Sequence, residues 1–359
     1  MIDPKQLIKN IERSKDNEPS RFYKVRLDRS ERNQPFSAAL MERIRKRLDG
    51  EWLMTYPEPE PLYNKLGHFL KQPRENILFH TGSDLCIKSI FETYINPGDK
   101  ILLHKPGYAM FFVYAKMFGA NTITTSFDSN LKFNYHEYID IIDKSYRMAV
   151  LENPNGFVGV APPKDILYNF IEKCEKEGVI ALIDEAYYIF HDITAAELLD
   201  SYENLIIVRT FSKAFGLAGV RAGYILSQNK NIENIYKVKA MHEINSLAIL
   251  VIDELLNSPD EVFGFVNETK KNLQHFKDGF FDMSIETSNS VGNFLAARIG
   301  KYVPSMKVSE ALKREGILVR RPFAETNLKE WTRIGTGPID QQQKVLDVVE
   351  KMKVKLDKP

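Results

Sequence analysis

The sequence has few cysteines, no excess of charge and no long apolar run. Its 359 residues include two cysteines, Cys86 and Cys174, which lie far apart and show no metal-type spacing with histidines. We expect both thiols to be reduced and structural, and we expect no metal site. The 49 basic and 48 acidic residues leave a formal charge of +1 without blocks of like charge. This balance gives no electrostatic reason to expect nucleic acid or a membrane as a partner.

Targeting signals, membrane spans and nucleotide-binding motifs are also missing. The N-terminal segment MIDPKQLIKNIERSKDNEP has no apolar core, and no later run approaches the roughly 20 apolar residues that a bilayer requires. Neither G-x-G-x-x-G after a first strand nor G-x-x-x-x-G-K-[ST] occurs. The sequence therefore predicts a cytoplasmic protein and disfavours a nucleotide-binding protein or a noncatalytic sensor on the same scaffold.

The chain contains short apolar runs that alternate with longer helical patterns. NILFH (76–80), KILLH (100–104) and LIIVRT (205–210) are continuously apolar, which is typical of strands covered by helices on both faces. This order predicts an α/β fold with a mostly parallel sheet. We expect an N-terminal arm and part of a small domain in 1–45, a large domain in 46–245 and a small C-terminal α/β domain in 246–359.

Polar residues follow two of the predicted strands, at the strand ends where such sheets bind ligands. In HTGSDL, Gly82, Ser83 and Asp84 open a helix, either as an ordinary cap or as a site for an anion. In LIDEAYY, a buried strand delivers Asp184, and a buried carboxylate requires a partner. That partner is either an arginine or helix cap, or a protonated heterocyclic nitrogen whose neighbouring phenolic oxygen the Tyr187 hydroxyl reaches.

A third strand end, in LIIVRTFSKAFGLAGVRAGY, combines hydroxyls, a lysine and an arginine. Thr210, Ser212 and Arg221 could form a phosphate cradle, because a guanidinium can bind two oxygens at once. Lys213 among these groups is either an ordinary solvated lysine or one whose pKa is lowered so that it can form a Schiff base.

Together these motifs resemble the fold-type I pyridoxal-phosphate-dependent aminotransferases of class I/II, most closely the histidinol-phosphate aminotransferase family. RTFSKAFGLAGVRAGY is nearly the family's lysine motif, and LIDEAY, TGSD, KPGYAMF and TYPEPE match further family segments between about Leu27 and the C-terminal helix. The resemblance implies a large domain with a sheet of seven-stranded type, pyridoxal 5'-phosphate as cofactor, and a homodimer with shared active sites.

The resemblance also implies a role for each matching residue. Lys213 would bind the cofactor covalently and move the proton, Asp184 would keep the ring nitrogen protonated, and Tyr187 would contact the phenolic oxygen. Tyr108 would stack on the ring. The phosphate contacts implied are Gly82, Ser83, Asp84, Thr210, Ser212 and Arg221, joined by Tyr56 from the second subunit.

Three segments depart from the family pattern. ENPNGFVG stands where the family has Asn-Pro-Thr-Gly, so Gly156 occupies the place of the asparagine beside the ring oxygen, and Asn155 is the nearest candidate for that contact. SERN places Arg32 where a neutral amide is usual, either as a solvated residue or as an anion contact. AMHEINS (240–246) replaces a pocket segment that contains proline and tyrosine. Since these segments are expected to face substrate, the substrate can differ from histidinol phosphate.

These observations predict an aminotransferase that moves an amino group from an amino acid, such as glutamate, to a keto compound bearing a phosphate or carboxylate. Arg333 in EWTRIGTG matches the arginine that binds a substrate anion, and Arg320 and Arg32 are further candidates. The alternative within the cofactor class is a decarboxylase of a phosphorylated amino acid, of the threonine-phosphate or serine-phosphate type. The two differ in which Cα bond the anion contacts hold perpendicular to the ring.

Overall fold

The computed structural model describes residues 2–9, 11–13 and 20–356. The strands in these residues are β1 (Val25–Leu27), β2 (Ile77–His80), β3 (Lys100–Lys105), β4 (Asn121–Ser126), β5 (Tyr146–Glu152), β6 (Ile180–Asp184), β7 (Leu205–Thr210), β8 (Gly223–Ser227), β9 (Phe294–Ala297), β10 (Ile317–Val319) and β11 (Thr332–Gly335). The α-helices are α1 (Gln6–Lys9), α2 (Ala38–Arg47), α3 (Glu51–Met54), α4 (Glu60–Leu70), α5 (Gly82–Tyr94), α6 (Ala109–Met117), α7 (Tyr135–Asp140), α8 (Lys164–Glu177), α9 (Asn229–Tyr236), α10 (Ser246–Leu256), α11 (Pro259–Asp282), α12 (Ser305–Arg314) and α13 (Ile339–Leu356).

A seven-stranded sheet forms the centre of the fold, in the order β2-β8-β7-β6-β5-β3-β4. All neighbouring pairs are parallel except the two that involve β8, which runs antiparallel to β2 and β7. The α/β fold with a mostly parallel sheet is thereby confirmed. The five parallel strands end at one edge of the sheet, so side chains that follow them can form one site.

Helices cover both faces of this sheet, as its continuously apolar strands require. Helices α5, α6 and α9 pack on the face that contains Leu78 and Val208. The opposite face, which contains Phe79 and Ile207, is covered by α4, α8 and α10. The alternation of Leu78 with Phe79 follows from the two-residue period of a strand. Among the described residues, no helix is both long and apolar enough to cross a bilayer.

The two ends of the chain meet in a smaller layer of structure. Strand β1 pairs in parallel with β10, and β9 pairs antiparallel with β11. Helices α11, α12 and α13 pack around them in a separate apolar cluster. Helix α10 instead packs in the core of the large sheet through Ala248, Ile252 and Leu255. The domain boundaries at 45 and 245 stay a prediction.

A buried ion pair holds the segments that follow β6 and β7. Arg209 and Glu185 are both almost fully buried, and the guanidinium donates to one carboxylate oxygen from Nε at 3.0 Å and from Nη2 at 2.8 Å. The same carboxylate accepts the backbone N–H of Ala195 at 2.7 Å. The Arg209 guanidinium also lies 3.5 Å from the centre of the Tyr188 ring. These contacts fix the backbone directly after Asp184.

We expect Arg209→Met to lower the free energy of unfolding by about 3–5 kcal/mol, because it leaves the Glu185 charge buried without a partner. Urea unfolding followed by circular dichroism measures the effect. The double variant Arg209→Met with Glu185→Gln should recover much of the loss. If Arg209→Met alone unfolds at the wild-type urea concentration, the ion pair does not stabilise this region.

Candidate active site

Three strand ends place polar side chains at the same edge of the sheet. Asp184 is the last residue of β6, Thr210 is the last residue of β7, and Gly82 begins α5 just after β2. Asp184 is paired in register with Glu152, the last residue of β5. These parallel strands therefore bring together groups that are separated by up to 128 positions in the chain.

The N-terminus of α5 and the 210–221 segment form a cradle suited to an anion. Gly82 has a φ of +81°, and a Cβ there would come within 2.7 Å of Nη2 of Arg221, so glycine lets the guanidinium reach the helix end. Arg221 donates to the Ser212 hydroxyl at 3.4 Å, and the Thr210 hydroxyl donates to the same oxygen at 3.0 Å. The N–H groups of the first helical turn, including that of Ser83, lie at the positive end of the helix.

Asp84 lies in the first turn of the same helix, beside an aromatic hydroxyl. Tyr114 donates to its carboxylate at 3.3 Å, and burial raises the pKa of Asp84. Arg221 is among the cations that partly offset this rise. The predicted set of Gly82, Ser83, Asp84, Thr210, Ser212 and Arg221 thus lies in one neighbourhood, although the Asp84 side chain has a partner of its own.

Asp184 is a buried carboxylate that lacks a cation at ion-pair distance among the described residues. It accepts the backbone N–H of Ala186 at 2.9 Å. Burial raises the pKa of Asp184 to about 8, and the nearby carboxylate of Glu152 adds to this rise. A positive group placed beside Asp184 would favour its ionised form, so this position suits a cationic ring nitrogen.

Lys213 and Tyr187 form the next part of the site. Lys213 Nζ donates to the backbone carbonyl of Arg29 at 2.6 Å and lies 5.8 Å from the centre of the Tyr187 ring. Burial lowers the pKa of Lys213, and the positive charge of Arg333 lowers it further. Burial alone would raise the pKa of Tyr187, but Arg333 and Lys213 outweigh burial and lower it. Both shifts move the pKa values toward neutral pH, the direction that suits groups that exchange protons in a reaction.

Arg333 and Arg320 are cations without a carboxylate at ion-pair distance in the described residues. Arg333 is only 5% exposed, and its Nη2 donates to Ser30 Oγ and to the Tyr187 hydroxyl, the latter at 3.1 Å. Its Nε has no hydrogen-bond partner. Burial lowers the pKa of Arg320 to about 10, and the charge of Arg333 contributes. Two partly desolvated guanidinium groups next to Lys213 favour an anion at this position.

Arg32, expected as a candidate substrate contact, has its guanidinium occupied by partners within the protein. Its guanidinium donates to the backbone carbonyls of Gln34, Pro35 and Glu261 at 3.1, 3.3 and 3.1 Å. Its planar face lies 4.2 Å from the ring centre of Phe36 and 4.6 Å from that of Phe265. Arg32 therefore ties the N-terminal segment to α11. Its neighbours in the chain gave no sign of this role, because Glu261 is 229 residues away.

Asn155, expected to contact the ring, has its amide hydrogen-bonded within the protein. Its oxygen accepts the backbone N–H groups of Phe157 and Val158, both at 2.9 Å. Its nitrogen donates to the carbonyl of Pro106 at 2.9 Å. The side chain therefore shapes the loop, and the nearest polar side chain to Gly156 is that of Glu152.

Two expected aromatic residues occupy different environments. Tyr108 is half-buried at the start of α6, and its backbone N–H donates to Glu152 at 2.6 Å. Tyr56 is 76% exposed and stacks on His242, with ring centres 4.5 Å apart.

Two residues of the site, Glu152 and Ser30, were not predicted from the sequence. The signal for Glu152 was a carboxylate at the end of the apolar run MAVLEN.

Comparison with known proteins connects this geometry to a family. The family model described as "Aminotransferase class I and II" matches residues 27–349. The chain belongs to the class I and II aminotransferases. A histidinol-phosphate aminotransferase of Ruminiclostridium cellulolyticum is 30% identical over 343 residues, which cover 90% of this chain and 91% of that protein. The chain is therefore an aminotransferase that depends on pyridoxal phosphate.

Solved structures support the fold. The crystal structure of histidinol-phosphate aminotransferase from Sinorhizobium meliloti in complex with pyridoxal-5'-phosphate has a TM-score of 0.84 and 21% identity, covering 92% of this chain and 91% of that one. L-threonine-O-3-phosphate decarboxylase from Porphyromonas gingivalis has a TM-score of 0.79 and 18% identity, covering 91% of this chain and 98% of that one. The decarboxylase is similar to this chain in fold alone, whereas the family model and the 30% identical relative are both aminotransferases. The aminotransferase assignment is therefore favoured over decarboxylation.

The side chains of the aminotransferase fit pyridoxal phosphate. The cradle around Arg221 suits the phosphate, and the buried Asp184 suits the protonated ring nitrogen. Lys213, with its lowered pKa, suits the aldehyde carbon. When bound, the cofactor withdraws electrons from the Cα of the substrate and carries the amino group between the two half-reactions.

Proposed function

We propose that this aminotransferase moves an amino group from an amino acid such as glutamate to a keto compound that carries a phosphate or a carboxylate. The observation that carries the proposal is the buried Arg333, a cation without a carboxylate partner in the described residues, next to Tyr187 and Lys213. The name of the Ruminiclostridium relative, histidinol-phosphate aminotransferase, supports a phosphate-bearing substrate.

We assign the chemical work to three side chains. Lys213 would move the proton that leaves the Cα of the amino donor, and burial lowers its pKa in the direction that frees the amine for this role. Asp184 keeps the ring nitrogen protonated by its charge. Tyr187 would donate its hydroxyl proton to the phenolic oxygen of the cofactor, and the hydrogen bond that it accepts from Arg333 links this position to the substrate anion.

The cofactor is held by the remaining predicted contacts. Gly82, Ser83, Thr210, Ser212 and Arg221 would bind the phosphate, with Asp84 in the same helical turn. Tyr108, at the start of α6, would cover one face of the ring.

Arg333 and Arg320 bind the substrate anion in this proposal. The guanidinium of Arg333 is preorganised by Ser30 and Tyr187, so it loses little freedom when an anion binds. Arg320 is held over the Phe157 ring, 4.6 Å from its centre, and adds a second positive charge. An anion at this position also relieves the repulsion between the two arginines.

We expect Arg333→Gln to raise the KM for the anionic substrate by about 10- to 100-fold, because it removes charge-assisted hydrogen bonds of about 1.5–3 kcal/mol. Steady-state kinetics with saturating cofactor measures the change. Arg298→Gln is the matched control, since Arg298 pairs with Glu286 and Glu330 elsewhere. Equal KM values in wild type and Arg333→Gln would contradict the assignment.

We further propose that the enzyme is a homodimer in which Tyr56 contacts the phosphate bound to the other subunit. The exposed side chains Leu53, Met54 and Met241 lie near Tyr56 in the chain or around its partner His242, and together they support a subunit contact here. Sedimentation velocity gives the mass of the assembly in solution. The cytoplasmic location expected from the sequence stays a prediction.

The function is tested by an absorbance titration of the purified holoenzyme. L-glutamate should convert the bound cofactor to its amino form and release 2-oxoglutarate in equal amount. Keto compounds with and without a phosphate or carboxylate are then screened for restoring the original spectrum, and only the anionic ones should do so. Release of carbon dioxide from a phosphorylated amino acid, without a keto product, would instead indicate the decarboxylase.

A further inference from the structure

The loop after β5 has no side chain at the position where the family pattern places an amide. Gly156 occupies that position, and the nearby Asn155 has its amide occupied in the loop. A Cβ built on Gly156 would lie 3.3 Å from Oε2 of Glu152 and 3.6 Å from Cε2 of Tyr187. The missing side chain would therefore enter space that borders both of these groups.

The carboxyl group of Glu152 occupies this space. Its Oε2 accepts the backbone N–H of Gly156 at 2.6 Å, and its Oε1 accepts that of Tyr108 at 2.6 Å. A Cβ on Gly107 would lie 3.2 Å from Oε1. Both glycines border the carboxyl, although the closest atom to a Cβ on Gly107 is the backbone oxygen of His104, at 2.6 Å. The carboxyl joins the loop before α6 to the loop after β5. Those loops carry Tyr108 and border Tyr187, so Glu152 lies among the residues proposed to face the cofactor ring.

The charges around Glu152 come from four strands or loops. Asp184 on β6 is its register neighbour and repels its ionised form. His104 on β3 has Nε2 at 4.0 Å from Oε1, but burial lowers the pKa of His104 to about 4, so it is neutral near pH 7. Arg333 on β11 favours the ionised form, and Tyr187 lies after β6. Burial is the largest influence and raises the pKa of Glu152 to about 7.

We propose that the Glu152 carboxyl replaces the missing asparagine side chain as the group that contacts the phenolic oxygen of the bound cofactor. As a neutral acid, Glu152 donates its proton in a hydrogen bond to that oxygen, while Asp184 stays ionised beside the ring nitrogen. Glu152 ionises as the pH rises, and its negative charge then favours the form of the cofactor that still carries its proton. This inference rests on the cofactor site described above and concerns a residue to which the family resemblance assigned no role.

The proposal predicts the protonation behaviour of the bound cofactor. A nearby anion stabilises the protonated form of a cation, so Glu152 should raise the pH at which the bound cofactor loses its proton. The sign follows directly: removal of Glu152 should lower that pH. An opposite charge within about 4–6 Å of a titrating group shifts its pKa by about one unit or more.

The test compares four holoenzymes by absorbance between about pH 5 and pH 10, a range set by the groups involved. They are wild type, Glu152→Ala, Gly156→Asn, and the double variant Glu152→Ala/Gly156→Asn. Gly156 does not have a positive φ, so asparagine is compatible with the backbone there. Cofactor dissociation constants are measured on the same samples.

We expect the midpoint of the absorbance change to fall by about one pH unit or more in Glu152→Ala and in the double variant. Gly156→Asn alone should bind the cofactor at least about tenfold more weakly, because its side chain meets Oε2 of Glu152, and the double variant should recover that loss. Such recovery requires that the two side chains occupy the same space.

The proposal is overturned if the absorbance midpoint is unchanged in Glu152→Ala and the double variant does not recover cofactor binding. Glu152 would then only connect two loops. If Glu152→Ala does not fold, Glu152→Gln replaces it, since it keeps the size and one of the two acceptors but cannot ionise; its midpoint should fall in the same direction. A wild-type enzyme that takes up no pyridoxal phosphate would contradict the cofactor site itself, so the two failures are distinguishable.

Discussion

Replacing Lys213 with alanine should slow amino transfer by about 10²- to 10⁴-fold, the range that a positioned acid–base group contributes. The variant should still bind pyridoxal phosphate, because the cradle around Arg221 does not depend on Lys213. The covalent link to the protein should be lost, so the cofactor should be removable by dialysis. Single-turnover absorbance after mixing with L-glutamate measures the rate.

Two controls make the Lys213 result specific. Lys230→Ala removes a lysine that is exposed on α9 and pairs with Glu203, and it should have wild-type rates. Methylamine added to Lys213→Ala supplies a small base in the vacated space and should recover part of the rate. A Lys213→Ala enzyme with the wild-type rate would show that another group moves the proton.

The second large effect is expected at Asp184. Asp184→Asn keeps the shape of the side chain and removes its charge, so the ring nitrogen loses the anion that keeps it protonated. We expect the rate to fall by about 10²- to 10³-fold, as for other losses of one preorganised electrostatic contact. Stopped-flow absorbance of the half-reaction measures it.

A cofactor with a fixed charge distinguishes electrostatics from misfolding. Pyridoxal phosphate methylated at the ring nitrogen is positive without Asp184, so it should restore part of the activity of Asp184→Asn and give no gain in the wild type. Asp192→Asn, at an exposed residue of the same loop, is the control. A variant that stays inactive with the methylated cofactor, and whose far-ultraviolet circular dichroism is unchanged, would contradict this role for Asp184.

The features that the sequence predicted are those encoded in short segments. The parallel sheet follows from the alternation of apolar runs with helical patterns, since each run needs helices on both faces. The cradle could be predicted because Ser212 and Arg221 lie nine positions apart, on one segment that folds back from β7 into β8. Local spacing fixes such contacts before any tertiary structure is known.

The features that the sequence did not predict depend on contacts between distant segments. Arg32 has local partners in residues 34–36, but Phe265 and Glu261 on α11 complete its surroundings, and SERN does not indicate these two. Asn155 lies in the right loop, but its amide is used by Pro106, 49 positions away. Glu152 was not predicted for the same reason, because its proposed role depends on two glycines in different loops that border its carboxyl.

The partner of Lys213 has a consequence for how this site can change during evolution. Lys213 donates to a main-chain oxygen, that of Arg29, and Asn293 donates to the main-chain oxygen of the adjacent Ser30. Such a contact does not depend on side-chain identity, so a substitution at position 29 can remove the ion pair of Arg29 with Asp28 while the hydrogen bond to the lysine persists. An alignment would then show a variable column at a position that touches the reactive amine. Insertions or deletions between residues 27 and 30, rather than substitutions, are the changes that selection should remove.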